Sequence, residues 1–174
     1  IDEIRQQLNG PALVLEHTEP NLLELGDEEY RETTIEVALD SGAVDHVINK
    51  ADIPGYPVTP SMGSRRGLHF VAANGDVIHN RGEAVINLMP EDTKVGLKST
   101  FQVADVSRPL YSATKITDQG CEITMNKECA IVTKNGRQLA KFVRKKGLYL
   151  CKMTIRMPAK PDDKAESSFP RPTK

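Results

Sequence analysis

The sequence predicts an all-β protein, and two of its features lead to that prediction. Short apolar runs with alternating polar residues recur between residues 33 and 155. Turn-forming pairs such as Asn74-Gly75 and Asn135-Gly136 separate these runs. Many short strands joined by tight turns are typical of a barrel or a sandwich. The predicted strands are 33–39, 68–73, 77–80, 83–89, 100–106, 121–125, 128–133, 138–143 and 148–155.

Two short helices accompany the predicted strands. One lies near residues 112–118, where Gly120 is the expected stop. The other covers residues 1–10, with Asp2 as its N-cap and Gly10 at its end. The expected fold is therefore all-β, with one short helix among the strands and one before them.

The chain divides into three segments. Residues 1–32 hold the N-terminal helix and an extended, acidic connector, residues 33–155 hold the barrel or sandwich, and residues 156–174 form an extended tail rich in polar residues and proline. Such a tail cannot bury enough apolar surface to offset the entropy lost on ordering, so by itself it should be disordered. We expect the N-terminal segment and the tail to contact protein partners.

The charge balance argues against a nucleic-acid partner. The 174 residues include 23 Lys and Arg against 24 Asp and Glu, for a net charge of −1, whereas binding a phosphate backbone needs a basic face. Local basic clusters at Arg65-Arg66 and Arg144-Lys145-Lys146 are expected to be solvated. No apolar run approaches the roughly 20 residues that span a bilayer, so the chain is predicted not to be transmembrane, and at most peripheral to a membrane complex.

The three cysteines, Cys121, Cys129 and Cys151, lie in apolar alternating runs. An odd number without close spacing argues against a disulfide framework or a zinc site, although Cys121 and Cys129 could pair if their strands were neighbours. Buried thiols in an intracellular, reducing compartment are favoured. The chain begins at Ile1, as a processed or trimmed product would, which leaves an organelle open. Neither a metal-ligand spacing nor a phosphate-binding loop appears, so no metal or cofactor is expected.

Asp40, Ser41 and Gly42 form a short motif that can support hydrolysis. Two aspartates held side by side cannot both ionise, so they share one proton; one then activates water while the other protonates the scissile carbonyl. The serine hydroxyl can hydrogen-bond across such a pair, and the glycine lets backbone amides approach the carboxylates. Asp-Ser-Gly is also a common turn, so the tripeptide alone leaves both interpretations open.

The surrounding sequence resembles the copia-type retropepsins, the aspartic proteases of copia-class retrotransposon polyproteins. The segment "ALDSGAVDHVIN" is similar to their active-site region, and "FVAANGDVIHNRGEAVI" to their flap hairpin. Further on, "FQVADVSRPLYSATKITDQGCEITMNKECAIV" resembles their apolar strand, proline-led segment, short helix and closing hairpin. "GRQLAKFVRKKGLYLCKM" resembles the segment that follows the barrel in those polyproteins. The resemblance covers about residues 33 to 155, and it implies a retropepsin-like closed barrel.

The resemblance also implies roles for individual residues. Asp40 matches the catalytic aspartate, and Ser41 and Gly42 match the residues that brace it. The chain holds one such motif, so a catalytic pair would need a two-fold homodimer in which two copies of Asp40 meet over a peptide substrate. These three residues are therefore catalytic only in a dimer.

The flap hairpin of the family has its counterpart around residues 73–76. His46 matches a family histidine, for which a structural role is favoured because it follows the active-site turn where a side chain would pack or hydrogen-bond. His69 and His79 flank the flap and are expected at the surface. The flap tip, which would contact substrate, matches Ala73, Asn74, Gly75 and Asp76.

Two functions follow from these observations. The extensions on both sides of the barrel and the start at Ile1 favour a retropepsin-like barrel that serves as a non-catalytic accessory or scaffolding subunit of a larger complex, with an organellar photosynthetic or respiratory assembly as one setting. The alternative is an active homodimeric aspartic endopeptidase that uses Asp40 from each chain. The two differ in whether a second Asp40 meets the first.

Overall fold

The computed structural model describes residues 16–17 and 30–158. Within these ranges the chain forms mostly strands, together with a 3-10 helix at Lys50–Asp52 and two short α-helices, α1 at Met62–Arg65 and α2 at Ala113–Asp118. The strands are β1 Glu16–His17, β2 Tyr30–Asp40, β3 Val47–Ile48, β4 His69–Val71, β5 Val77–His79, β6 Gly82–Pro90, β7 Leu97–Val103, β8 Leu110–Ser112, β9 Glu122–Met125, β10 Cys129–Lys134, β11 Arg137–Lys145 and β12 Leu148–Pro158.

Six of the strands close into a barrel. The ring runs β7, β3, β8, β2, β12 and β6, and β6 pairs with β7 to complete it. The longest pairing is antiparallel, between β2 and β12, from Leu39 opposite Tyr149 to Tyr30 opposite Pro158. Short parallel pairings, β2 with β8 and β3 with β7, close the other side. The predicted all-β fold is thereby confirmed, and of the two predicted architectures the chain adopts the closed barrel.

Further strands extend this barrel. Beyond β12 the sheet continues through β11, β10 and β9, each antiparallel to its neighbour. The strand β1 pairs with β7. Strands β4 and β5 form a separate two-stranded hairpin that precedes β6. This hairpin stands outside the barrel wall and forms one side of the site described below.

The core is aliphatic with a small aromatic centre. On β2 the alternate residues Val37 and Leu39 pack into it, as the period of two along a strand requires. Phe101, Tyr111 and Phe142 are almost fully buried, and the Tyr111 ring contacts each of the two phenylalanine rings edge to face. The chain has no Trp, so Leu, Ile, Val and Met side chains fill the remaining volume.

The sequence located the longer strands and missed the shortest elements. Strands β3 and β8 have two and three residues, too few for a periodic pattern to show. Helix α1 was also missed; Ser61 and Ser64 form a capping box that stabilises this single turn. The predicted helix at 112–118 is confirmed as α2, capped by Ser112, and Gly120 takes the left-handed conformation just beyond it.

The barrel strands reach past the predicted domain boundaries at residues 33 and 155. Strand β2 begins at Tyr30 and β12 ends at Pro158, because these two strands pair along their whole length. The helix predicted at 1–10, most of the connector and the tail from 159 onward lie outside the described residues. Among the residues that the structure does describe, no helix has the length and apolar character needed to cross a membrane.

The cysteines are free thiols. Cys121 and Cys151 are buried and Cys129 is half-buried, so the expectation of burial holds in full for two of the three. Burial raises the pKa of the Cys151 thiol to about 12 and also raises the pKa of Cys121. These two are protonated, inert core residues at neutral pH.

Candidate active site

Asp40 ends β2 at the point where the strand leaves the barrel. It lies in parallel register with Ser112, the last residue of β8. Because Val37 and Leu39 pack into the core, Asp40 lies on the opposite, outer face of the strand. Its side chain is half-buried, and its Oδ1 accepts a hydrogen bond of 2.7 Å from the backbone amide of Gly42. The carboxylate is therefore held at the barrel surface by the loop that follows it.

Gly42 allows this close approach. A Cβ atom at position 42 would lie 3.3 Å from Oδ1 of Asp40, which is tighter than an ordinary van der Waals contact. Glycine keeps that space open while its amide donates to the carboxylate. Ser41, between the two, is exposed. The structure thus places the Gly42 amide on the Asp40 carboxylate, a contact that both the hydrolytic motif and an ordinary turn allow.

The buried His46 helps to fix the loop that follows Asp40. The Nδ1 atom of His46 accepts a hydrogen bond of 3.0 Å from the amide of Ser112, whose hydroxyl donates to the carbonyl of Ala43 over 2.7 Å. The His46 ring also packs against Tyr111 and Phe101, with centroids 4.9 and 5.5 Å away. The structural role predicted for His46 is confirmed. These contacts tie the loop after Asp40 to the strand beside it.

His46 stays neutral over a wide pH range. The side chain is 2% exposed, and burial, together with the positive charge of Lys115, lowers its pKa to about 3. A neutral imidazole that accepts at Nδ1 carries its proton on Nε2. His46 is thus a fixed packing and hydrogen-bonding group and not a proton carrier near neutral pH.

A buried charge pair lies beside this histidine. Asp45 is 7% exposed and Lys115 of α2 is 2% exposed. Burial raises the pKa of Asp45 to about 6, and the positive charge of Lys115 and a hydrogen bond from the amide of His46 limit the rise. Burial lowers the pKa of Lys115, and the charges of Asp45 and Asp118 oppose that shift. No local sequence pattern indicates this pair, because its members are seventy positions apart.

A cleft of about 890 Å³ opens above Asp40. Its floor is the outer face of the barrel, including Val47 of β3 and Leu110 of β8, and the β4–β5 hairpin forms the opposite side with Phe70 and Ile78. Asp40, Gly42 and Asp45 lie along the same cleft. Concave, mostly apolar clefts with a few polar groups are the usual form of a binding site.

A hydrogen-bonded polar wall joins the hairpin to the barrel. The side-chain amide of Asn80 donates from Nδ2 to Oε1 of Gln102 over 2.9 Å. Nε2 of Gln102 in turn donates to Oε2 of Glu83 over 3.3 Å. The same Asn80 accepts from the amide of Gly82 over 2.9 Å. Glu83 also exchanges two backbone hydrogen bonds with Thr59, of 2.9 and 2.8 Å. The base of the hairpin is therefore anchored, whereas its far end is free of these bonds.

The predicted flap-tip residues form the turn of this hairpin. Asn74 accepts from the amide of Asp76 over 3.0 Å and donates to its carboxylate over 2.8 Å, and Gly75 has a φ of 88°. Ala73 lines the cleft, whereas Asn74, Gly75 and Asp76 form the exposed turn beyond it. The cleft-lining residues Phe70, Ile78 and Gln102 are not indicated by any motif in the sequence. Alternation along the hairpin could have identified Phe70 and Ile78, whereas Gln102 of β7 reaches the cleft only through long-range pairing.

The cleft carries acidic side chains but no ready-made metal centre. Within residues 16–17 and 30–158, no group of three or more His, Cys, Asp and Glu side chains is placed to hold a metal ion. Asp105, on the cleft wall, is ion-paired with Arg81.

Comparison with protein-family models, with curated proteins and with solved structures finds no match to this chain.

Proposed function

We propose that the chain is a homodimeric aspartic endopeptidase of the retropepsin type, in which the Asp40 residues of two copies form the catalytic pair. The observation that carries the proposal is the position of Asp40, held by the Gly42 amide along a cleft that a hairpin overhangs. A carboxylate that opens into a large cleft is accessible to substrate and water. An ordinary turn aspartate would need no such cleft.

The reaction follows from two carboxylates that share one proton. The ionised Asp40 takes a proton from a water molecule, and the water oxygen bonds to the scissile carbonyl carbon. The protonated Asp40 of the second copy gives its proton to the carbonyl oxygen. The resulting diol then collapses: the first Asp40 gives the proton it took from water to the amine nitrogen, and the carbon–nitrogen bond breaks. The second Asp40 takes a proton back from a diol hydroxyl, so that an acid and an amine leave and the pair again shares one proton. The Gly42 amide stabilises the charged form of the carboxylate throughout.

The substrate is a peptide in extended form. The space between the barrel floor and the hairpin suits a strand, whose side chains alternate between the two walls. Val47, Phe70, Ile78 and Leu110 line it with apolar surface, while Gln102 and its neighbours add polar groups at one side. We therefore expect cleavage next to apolar residues.

A non-catalytic accessory subunit of a larger complex, organellar or otherwise, is the second candidate. It is favoured by an exposed apolar pair on the hairpin, Val71 at 66% and Val77 at 54% exposure, which a partner protein would cover. The chain ends that first suggested such a role lie outside the described residues. In that setting Asp40 would face no second carboxylate.

Sedimentation equilibrium and peptide hydrolysis test the two candidates together. A protease requires a dimer and cleavage of a mixed peptide library between pH 4 and 7, with products identified by mass. Asp40→Asn should abolish cleavage and leave the mass and thermal unfolding unchanged. Asp92→Asn makes the same change at an exposed site on the loop after β6 and should cleave like the wild type. A monomer that cleaves nothing, or an Asp40→Asn variant that cleaves normally, would overturn the protease and leave the accessory role.

A further inference from the structure

Two histidines face each other across the β4–β5 hairpin. His69 on β4 and His79 on β5 are partners in the antiparallel register, followed by Phe70 opposite Ile78 and Val71 opposite Val77. Directly opposite side chains in an antiparallel pair lie on the same face of the sheet. The ten-residue spacing of the two histidines is not a recognised ligand spacing in sequence; only the register brings them together.

The hydrogen-bond pattern makes this a close pair. The amide of Asn80 donates to the carbonyl of Leu68, and the amide of Ala72 donates to the carbonyl of Asp76, over 3.2 and 2.9 Å. The hydrogen-bonded positions are thus the even-numbered ones, which leaves His69 and His79 as a non-hydrogen-bonded pair. In such pairs the Cβ atoms lie only about 4.5–5.5 Å apart.

Both imidazoles are available. His69 and His79 are exposed, and neither makes a hydrogen bond or ion pair with any residue that the structure describes. His46, by contrast, is buried with its Nδ1 atom occupied by the Ser112 amide. Arg81, two residues beyond His79, has its charge balanced by Asp105. The carboxylate of Asp105 therefore offsets the positive charge that stands nearest to His79 along the chain.

We propose that His69 and His79 form a bidentate site for a divalent transition metal ion of the Zn²⁺ class. Metal–imidazole bonds of about 2.0–2.1 Å in a tetrahedral arrangement place the two nitrogens roughly 3.3 Å apart, within reach of opposed side chains on one sheet face. Water completes the coordination. Imidazole nitrogen selects Zn²⁺, Ni²⁺ and Cu²⁺ over Mg²⁺ and Ca²⁺, which prefer oxygen.

Such an ion would cross-link the two strands of the hairpin. The pair lies at the end of the hairpin nearest the anchored Asn80, and the metal would restrain β4 against β5 while the turn at Asn74-Gly75 stays free. The hairpin overhangs the cleft, so metal binding would stiffen one wall of the site. The proposal depends on the hairpin geometry and not on peptide hydrolysis, so its failure would leave the protease proposal untouched.

Calorimetric titration of the full chain with ZnCl₂ tests the site. The wild type should bind one Zn²⁺ per chain. His69→Gln and His79→Gln should each weaken binding at least tenfold, because each removes one arm of the chelate. MgCl₂ should not compete. His17→Gln is the matched control, since β1 pairs with the opposite end of β7 from the hairpin, and it should bind Zn²⁺ as the wild type does.

Hydrogen exchange gives a second measurement that does not depend on the stoichiometry. Zn²⁺ should slow exchange of the Asn80 and Ala72 amides in the wild type and leave them unchanged in His69→Gln. The inference is overturned if the wild type binds no Zn²⁺ when ZnCl₂ is present at 1 mM. At that concentration a site with a Kd of about 1 mM would be half occupied. It is equally overturned if a variant that carries both His69→Gln and His79→Gln binds as well as the wild type, or if His17→Gln alone abolishes binding.

Discussion

The backbone amide of Ser112 donates a hydrogen bond of 3.0 Å to Nδ1 of His46. This bond joins the strand beside Asp40 to the loop that follows it, and Ser112 is itself in register with Asp40. Protonation of Nδ1 would replace the acceptor with a second donor and break the bond. The geometry of the site therefore depends on a histidine that must stay neutral.

His46 should make the fold sensitive to acid. Its folded pKa is about 3, below the ordinary 6.5, so the unfolded chain binds the proton more readily. The stability that neutral His46 provides is full above pH 6.5 and is lost as the pH falls toward 3, at up to about 1.4 kcal/mol per pH unit. Asp45 acts in the opposite direction: its folded pKa of about 6 exceeds the ordinary 3.8, so its contribution declines as the pH rises from 3.8 through 6.

A His46→Asn variant separates the pH-dependent contribution of His46 to stability from that of Asp45. Asparagine keeps an acceptor near the Ser112 amide but cannot be protonated, and we expect a loss of about 2–4 kcal/mol at pH 7 from the missing ring packing. The difference in unfolding free energy between wild type and variant should shrink as the pH falls from 6.5 to 4. Urea unfolding at four pH values measures it. A difference that stays constant across this range would show that His46 does not titrate as described.

The charge of Lys115 should control the pKa of Asp45. Lys115→Met leaves a buried carboxylate without its cation, so the pKa of Asp45 should rise above its value of about 6. Breaking a buried pair costs about 3–5 kcal/mol, and the loss should be smaller at pH 5, where Asp45 is largely protonated. Carbon-13 NMR titration of the aspartate carboxyls measures the pKa directly. Lys98→Met, at an exposed position on β7, is the control and should leave the Asp45 titration unchanged.

Local pattern predicted the framework of this fold but not its long-range pairings. Alternation along residues 33–39 and 148–155 marked the two strands that pair most extensively, because each has one face in the core. Val47 and Ile48 form a strand only because β7 and β8 flank them. Such a strand has no pattern of its own, so the closure of the barrel could not be read from it.

The candidate site likewise combines residues that a local sequence pattern identifies with residues that only long-range contacts bring together. Asp40, Gly42 and the hairpin turn are contiguous motifs and could be identified from sequence. Lys115 lies in a short helix where a lysine normally faces solvent, and its burial near Asp45, seventy positions earlier in the chain, is a long-range feature that no local pattern indicates. The opposition of His69 and His79 likewise depends on register, which no spacing rule in the sequence reveals.

Gly82 should be irreplaceable at the base of the hairpin. Its φ is 134°, and a Cβ there would lie 2.4 Å from the carbonyl oxygen of Thr59 and 2.9 Å from Cγ1 of Val58. The Thr59 backbone is held by its two hydrogen bonds to Glu83 and cannot move away cheaply. Gly82→Ala should therefore lower the unfolding free energy by about 3 kcal/mol or more, since it adds a steric clash to backbone strain.

Gly136→Ala is the matched comparison for that change. Gly136 also has a positive φ, 77°, but no atom lies within 4 Å of the added Cβ. Only the backbone strain applies, so the cost should be about 1 kcal/mol. Urea unfolding of both variants measures the difference. Equal losses at the two positions would mean that the contact with Thr59 does not constrain Gly82.

Gly42→Ala should impair catalysis without impairing folding, if Asp40 is catalytic as proposed. The added Cβ would lie 3.3 Å from Oδ1 of Asp40. The backbone at Gly42 is not in the left-handed region, so the conformation itself suits alanine and stability should change by less than about 1 kcal/mol. The amide still donates, yet the carboxylate must shift by a few tenths of an ångström. Displacement on that scale at a reacting group should lower kcat/KM by roughly ten- to a hundredfold.

Gly120→Ala serves as the control for this last change, because Gly120 follows α2 and its added Cβ would meet no neighbour within 4 Å. It should lose some thermal stability through its positive φ but keep the wild-type kcat/KM. Gly42→Ala should show the reverse, a nearly unchanged unfolding temperature with a reduced rate. Since both variants add one methyl group, the contrast isolates the contact with the Asp40 carboxylate. A Gly42→Ala protein that cleaves at the wild-type rate would mean that the position of this carboxylate does not limit the reaction.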